Sequence, residues 1–270
     1  MAYVKCIRNL ISSTVPDGKT VTPTDDISIW LACGGRSETY TTLSQVLADS
    51  TCLSALINDN NAVDYLVRST TWASDVCSDS SAMSYIGLNN YASNTLLADS
   101  TWCSAIFSST YRESVLNVKT PTMESANTPS GVVSANSYNA SNVPYKAFDK
   151  NNNTYWELQN TSSNNESWVD YEFPSNAKFY GFSVLFKSNT TRNRNFGFKI
   201  QGSADGNTYK DTFLQINANV GTRTLYEDLF TSNIDSYNHC RLYLENKPLY
   251  SGSVYYGEVC ELQFYGRADI

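Results

Sequence analysis

The sequence predicts an α + β protein of two domains: a small N-terminal region of short, repeated helices and a C-terminal antiparallel β-sandwich. Three observations carry this. The composition changes near residue 118, an Asp-Ser-Thr phrase recurs before that point, and bulky residues alternate with period two after it. At roughly 100–200 residues per domain, a chain of 270 residues accommodates two bodies, each with its own core.

The N-terminal stretch offers Pro16-Asp17-Gly18-Lys19 as a turn and Ile27 to Leu31 as a short apolar run, which suits a hairpin or a docking arm. Leu47-Ala48-Asp49-Ser50-Thr51-Cys52-Leu53 returns fifty residues later as Leu97-Ala98-Asp99-Ser100-Thr101-Trp102-Cys103, with a weaker copy at Ser69 to Val76. Each copy opens on Asp, Ser or Thr, whose oxygens can cap the free amides of a helix N-terminus, and continues with apolar residues at helical spacing. Such short helices are marginal alone, so they must pack on one another, with Trp72 and Trp102 as core anchors. Residues 1–118 are therefore expected as a helical anchoring or oligomerisation region, 119–128 as an extended Thr- and Pro-containing linker, and 129–270 as the sandwich. In that last part Trp168 to Phe173, Phe179 to Phe186, Phe196 to Gln201 and Arg241 to Leu244 alternate as strands, and Ala204-Asp205-Gly206-Asn207 is a turn.

Composition narrows the function. With 19 Lys+Arg against 26 Asp+Glu the net charge is −7, which argues against nucleic-acid binding because phosphate contacts need a concentrated basic surface. His239 is the single histidine, so a catalytic triad or a His-rich zinc site has almost nothing to build on, and it reads as a structural or exposed residue. Seven cysteines, at 6, 33, 52, 77, 103, 240 and 260, form no CxxC pair and are expected as reduced, partly buried thiols. Only 17% of residues are charged, while Tyr reaches 19 and Ser, Thr and Asn fill much of the rest, a surface suited to neutral hydrogen bonds and aromatic faces. No apolar run is long enough to span a bilayer, and the first eleven residues lack the apolar stretch of a signal peptide.

The segment Tyr145-Lys146-Ala147-Phe148-Asp149-Lys150-Asn151-Asn152-Asn153-Thr154-Tyr155-Trp156 is followed by Gln201 to Tyr209 and closes on Gly257 to Gly266. In order and spacing these three motifs, across about residues 125 to 268, resemble the discoidin or F5/8 type C family, which includes galactose-binding carbohydrate-binding modules. The resemblance implies an eight-stranded antiparallel jelly roll with a structural calcium ion (Ca2+). Its ligands would be the carbonyls of Lys146, Asn151 and Cys260, the carboxylates of Asp149 and Glu261, and the carbonyl and hydroxyl of Thr154. Calcium takes six to eight oxygens, and a short polar loop closed by a distant Glu supplies that number. An Asx-type turn at Asp149 with a solvated Glu261 would fit the same residues. Lys150 stands where the family commonly has Gly.

A sugar site needs an aromatic face for the pyranose and fixed polar groups for its hydroxyls. The resemblance puts the suppliers in the loops: Glu157, Arg192, Arg194, Asn195, Tyr255 and Tyr256, with Arg194 beside Tyr255 or Tyr256 foremost and Trp156 assigned to the core. The family's His near Trp156 is absent, which argues against a galactose preference, and no loop carries a Trp, Leu or Phe spike for membrane insertion. The phrases TTLSQVLADST, NNAVDYLVRSTTW and LLADSTWCSAI are similar to segments of tailed-bacteriophage virion proteins. Together the resemblances imply a non-enzymatic virion surface protein, a fibre, collar or decoration. It would bind host-surface or mucus glycans, attach to other virion proteins through residues 1–118, and act as a homo-oligomer. A structural cement without sugar binding, or a free carbohydrate-binding module of a bacterial protein, are the alternatives.

Overall fold

The computed structural model describes residues 43–48, 50–158, 167–187, 195–219, 223–231, 235–245, 249–250, 254–255 and 258–268. The chain divides into two compact units, residues 1–117 with 270, and 118–269. The expected N-terminal hairpin lies outside the described residues.

The described part of the first unit is built from α1 (Leu43–Ala48), α2 (Ser50–Asn58), α3 (Asn60–Leu66), a 3-10 turn (Thr70–Trp72), α4 (Ala73–Cys77), α5 (Ser80–Leu88), α6 (Asn90–Ala98) and α7 (Ser100–Ser108). The repeat is finer than the fifty-residue return read from the sequence: its period is ten residues. Asp59, Asp79, Asn89 and Asp99 stand one period or two apart, and each accepts a hydrogen bond from an amide two or three residues on. At Asp99 this is the N-cap the sequence predicts, and Asp59, Asp79 and Asn89 repeat it, satisfying amides that have no partner within the helix. Three and four positions after the cap lies a buried pair, such as Ala82 and Met83 or Trp102 and Cys103; seven and eight positions after it lies another, such as Leu96 and Leu97 or Ile106 and Phe107. Asp99→Ala, which uncaps both Thr101 and Trp102, is expected to lower the stability of this unit by about 1 kcal/mol in chemical denaturation.

Helices pack on the third one along, α2 on α5, α3 on α6 and α4 on α7, so three helices complete each turn of the coil. Polar side chains stitch successive turns together across 27 to 35 residues of sequence: Tyr91 Oη donates to Asp64 Oδ1 at 2.6 Å, Asn89 Nδ2 to Asn58 Oδ1 at 3.1 Å, and the Trp102 indole to the Val67 carbonyl at 3.0 Å. Trp102 and Trp72 are buried, as the sequence predicts for core anchors. A 3-10 turn (Arg112–Ser114) then crosses α5, with Val115 and Leu116 fully buried behind it.

The second unit is an antiparallel sandwich of β1 (Val118–Lys119), β2 (Val132–Ala135), β3 (Trp156–Glu157), β4 (Ser167–Phe186), β5 (Asn195–Ser203), β6 (Lys210–Asn219), β7 (Thr224–Leu229), β8 (Ser236–Glu245) and β11 (Glu258–Ala268), with a separate hairpin of β9 (Leu249–Tyr250) and β10 (Val254–Tyr255). The two strands expected at 168–173 and 179–186 are one continuous β4. It bends at the exposed residues Pro174 to Asn176, where the ladder with β8 breaks register. Its first half pairs with β2 and β8, and β5 and β6 extend that layer; its second half pairs with β7 and β11 in the other layer. The nine strands form a single hydrogen-bonded network because β4 belongs to both layers.

The alternation read from the sequence sets the core: Val169, Tyr171, Leu242, Leu244, Phe198 and Ile200 turn inward, while Trp168, Lys199, Arg241 and Tyr243 remain partly exposed. Phe182 sits among Phe198, Phe213 and Phe230 at ring-centroid distances of 4.8 to 6.3 Å. Residues 119–128 correct the sequence reading, for they are part of the sandwich rather than a linker. Lys119 pairs with Tyr265 on β11, and Thr120 and Met123 are buried. A two-residue edge strand is too short to show alternation, so the Thr and Pro content alone suggested a connector.

Candidate functional site

The Asp149 loop leaves the 3-10 turn Pro144–Ala147, which carries Lys146. It ends at Tyr155, the residue before β3. Within it Asp149 Oδ1 accepts from the Asn151 amide at 2.9 Å and Asn151 Oδ1 from the Asn153 amide at 3.1 Å, two successive Asx turns. The Thr154 hydroxyl lies 2.6 Å from Asp149 Oδ2 and 2.8 Å from the Asn151 carbonyl, so three oxygens of different residues converge. Lys150, at φ +54°, occupies the left-handed region. That is why a glycine is comfortable at this place, and it costs a lysine about 1–2 kcal/mol.

The distant strand β11 comes to this loop. Its pairing with β4 shifts between Val259↔Phe186 and Glu261↔Leu185, which makes Cys260 the extra residue of a β-bulge. Beside the bulge, Glu261 faces Asp149 and the loop backbone. Burial, and after it the Asp149 carboxylate, push its carboxyl up to about 8, while the Lys150 and Asn151 amides oppose the rise. Glu261 Oε1 is buried with no hydrogen-bond partner among the described residues. Two carboxylates thus share one small site with the Thr154 hydroxyl and the Asn151 carbonyl, and one carboxylate oxygen is unsatisfied. This donor chemistry, all hard oxygen, fits a hard divalent cation of the calcium type. Of the two arrangements the sequence allows, the Asx turn is present, and Glu261 is partly buried with its Oε1 shielded from solvent.

Two cations brace the same loop. Arg223 donates to the Asn152 carbonyl at 2.9 Å. Lys187 Nζ lies 3.3 Å from the centroid of the Tyr155 ring and 3.7 Å from Glu258 Oε1. Sequence reasoning missed both, since their reach depends on strand register, and a lone Lys or Arg beside a loop carries no motif.

The residues expected to touch sugar separate. Glu157 is buried: its carboxylate accepts from Asn142 Nδ2 at 2.6 Å, and its backbone exchanges hydrogen bonds with Asn139 and Asn142. It holds the 139–142 turn against β3, which corrects its placement on the open binding surface. Asn195 and Tyr255 are described as backbone positions only, the first opening β5 and the second in β10. Arg192, Arg194 and Tyr256 lie outside the described residues. Trp156 is fully buried and its indole donates to the Ser137 carbonyl at 3.2 Å, as expected of a core residue.

His239 is bound within the sandwich, with Nδ1 2.9 Å from Oδ2 of the buried Asp170. The other Asp170 oxygen accepts from Tyr209 at 3.0 Å, and Arg241 stacks 3.5 Å from the Tyr209 ring centroid. Burial raises the Asp170 carboxyl, and His239 and Tyr209 oppose that. Ser203, beside His239 in the ladder, donates its hydroxyl to Asp205. Among the described residues these groups make a satisfied polar cluster and no nucleophile–base pair. Cys77, Cys240 and Cys260 are free and buried, and Cys103 is buried.

Residues 132–253 match the family model of the F5/8 type C domain. Among solved structures the chain is similar to chitosan-binding module 1 of a chitosanase/glucanase from Paenibacillus sp. IK-5, at 15% identity over 50% of this chain and 94% of that one, with a TM-score of 0.39. It is similar to CBM32-3 of a family 31 glycoside hydrolase from Clostridium perfringens, at 16% identity over 54% and 100%, with a TM-score of 0.40. A pectin binding carbohydrate binding module is similar at 18% identity over 48% and 86%, with a TM-score of 0.39. A comparison with curated proteins finds no match.

Proposed function

We propose that the sandwich is a calcium-stabilised, non-catalytic glycan-binding module, displayed in several copies on the surface of a bacteriophage particle to which residues 1–118 attach it. The observation that carries the reading is the coincidence of the F5/8 type C match with a loop that brings Asp149 and Glu261 together and leaves a buried carboxylate oxygen unsatisfied. Lys146, Asn151 and Cys260 would hold the ion through carbonyls, Asp149 and Glu261 through carboxylates, and Thr154 through its carbonyl and hydroxyl. Bound calcium supplies charge neutralisation that fixes the loop against the last strand; it takes no part in bond breaking. The chain's own residues do the recognition, with Arg194 and Tyr255 or Tyr256 offering a planar donor and an aromatic face. The sequence phrases of the helical repeat support the virion reading. Display in many copies would raise the avidity of weak single sites by effective concentration.

A glycan array probed with the full-length protein, once in calcium and once in chelator, tests this. Binding to a defined group of glycans is expected, weakened in chelator and abolished by Arg194→Ala or Tyr255→Ala. Silence across the array from folded protein that calcium stabilises would sink the adhesin reading and favour a structural cement.

A further inference from the structure

The Asp149 loop and the adjoining ends of β4, β7 and β11 are physically joined. Tyr155, the last residue of the loop, lies under Lys187 at 3.3 Å, and Lys187 directly follows β4 and precedes segment 188–194. The same Lys187 donates its backbone amide to the Glu258 carbonyl at 3.1 Å and holds its Nζ 3.7 Å from Glu258 Oε1, so it also fixes the first residue of β11, which follows segment 256–257. Arg223, directly before β7, reaches the Asn152 carbonyl inside the loop. Three strand ends therefore converge on one loop through two cations. Arg192, Arg194 and Asn195 follow the first of these ends in the chain, and Tyr255 and Tyr256 precede the third.

The geometry points to Lys187 and Tyr155 as positioning residues that couple ion occupancy of the Asp149 loop to the ends of β4 and β11, so that calcium sets the sugar affinity without touching the sugar. An ammonium over an aromatic face is directional and, where partly desolvated, among the stronger non-covalent contacts open to a lysine. A loop whose conformation changes with occupancy would move Tyr155 and with it the Lys187 ammonium. By linkage the coupling is reciprocal: sugar would tighten calcium binding by the factor by which calcium tightens sugar binding. This inference rests on the calcium reading above and goes beyond it, because a purely structural ion would stiffen its own loop and leave the strand ends as they were.

Amide hydrogen exchange on the full-length protein, read by mass spectrometry at saturating calcium and in chelator, separates these cases. In the wild type, calcium is expected to slow exchange at residues 183–187 and 258–263 by about fivefold or more, as well as within 147–156. Tyr155→Leu and Lys187→Met should keep the protection within 147–156 and lose it at both strand ends, while Tyr155→Phe, which retains a ring face, should keep both. Equal protection of the strand ends in Tyr155→Leu and the wild type overturns the coupling, as does wild-type protection confined to the loop. No protection anywhere, together with no thermal shift on adding calcium, removes the calcium reading and this inference with it.

Discussion

Glu261→Gln is expected to invert the response of the sandwich to calcium: more stable than the wild type in chelator, less stable in millimolar calcium. The reasoning starts from one carboxylate in two environments. Without an ion, burial and the facing Asp149 carboxylate raise the Glu261 carboxyl from its ordinary 4.5 to about 8. A folded-state value above the unfolded one means that the folded protein holds a proton the unfolded chain has released. The associated stability is present below 4.5 and is lost as pH rises toward about 8. Metal-free wild-type protein should therefore unfold at a lower temperature at pH 8 than at pH 5, and the neutral amide should flatten that slope. With calcium bound the same negative charges become assets. A ligand at a thousand times its dissociation constant adds about 4 kcal/mol to the folded state, and the Gln variant should forfeit most of this. Thermal unfolding of both proteins across pH, with calcium and with chelator, reads all four states. If the variant is less stable than the wild type even in chelator, and calcium raises both equally, Glu261 is not a ligand.

Much of this architecture was legible in the sequence, and the unread parts share a cause. Alternation in 168–173 and 241–244 located inward and outward residues, because a half-buried strand writes its burial with period two. Asp99 was readable as a cap for the same reason that it works as one: a short side-chain oxygen ahead of an apolar run is a local signal. The ten-residue period was hidden because its positions demand chemistry of a kind, not identity. The cap is Asp or Asn at different turns, and the buried pair ranges from Ala62 and Val63 to Trp102 and Cys103. The fifty-residue return is five such periods, conspicuous only because two of them are spelled nearly alike.

At the candidate site, residue types were readable and their accessibility was not. Asp149 and Glu261 do face one another, yet nothing in the sequence places the bulge at Cys260 that sits beside Glu261, since it arises from register against β4. Glu157 resembled a loop residue because it adjoins the Asp149 motif. Its burial follows from the turn at Asn139 to Asn142, which folds back onto β3. Lys187, Tyr155 and Arg223 are joined only by tertiary contact, and a pattern-based reading has no purchase on them.

Gly87→Ala provides the sharpest contest between local and tertiary reasoning, because the two predict opposite signs. Gly87 lies inside α5, and replacing a helical glycine by alanine ordinarily stabilises by about 1 kcal/mol. In every other described repeat the matching position carries a side chain, including Ile57, Val67, Cys77, Leu97 and Phe107. At Gly87 the chain itself takes that space. A Cβ there would stand 1.9 Å from the Ser114 carbonyl oxygen and 2.7 Å from its carbon, both backbone atoms that cannot rotate away. The closing turn Arg112–Ser114 would have to lift off α5, and Val115 and Leu116, both fully buried, follow it directly. Exposing two such side chains costs about 1.5–3 kcal/mol each, so the alanine should destabilise the helical unit by about 2–5 kcal/mol after its propensity gain of about 1 kcal/mol is subtracted. Denaturation followed by hydrogen exchange at residues 96–107 should show the loss, with residues 182–186 of the sandwich unchanged. Limited proteolysis should find new cleavage between 109 and 117. An alanine variant as stable as the wild type, or more so, would mean that the turn does not close this coil. The helical unit would then have to be completed by something other than the turn Arg112–Ser114.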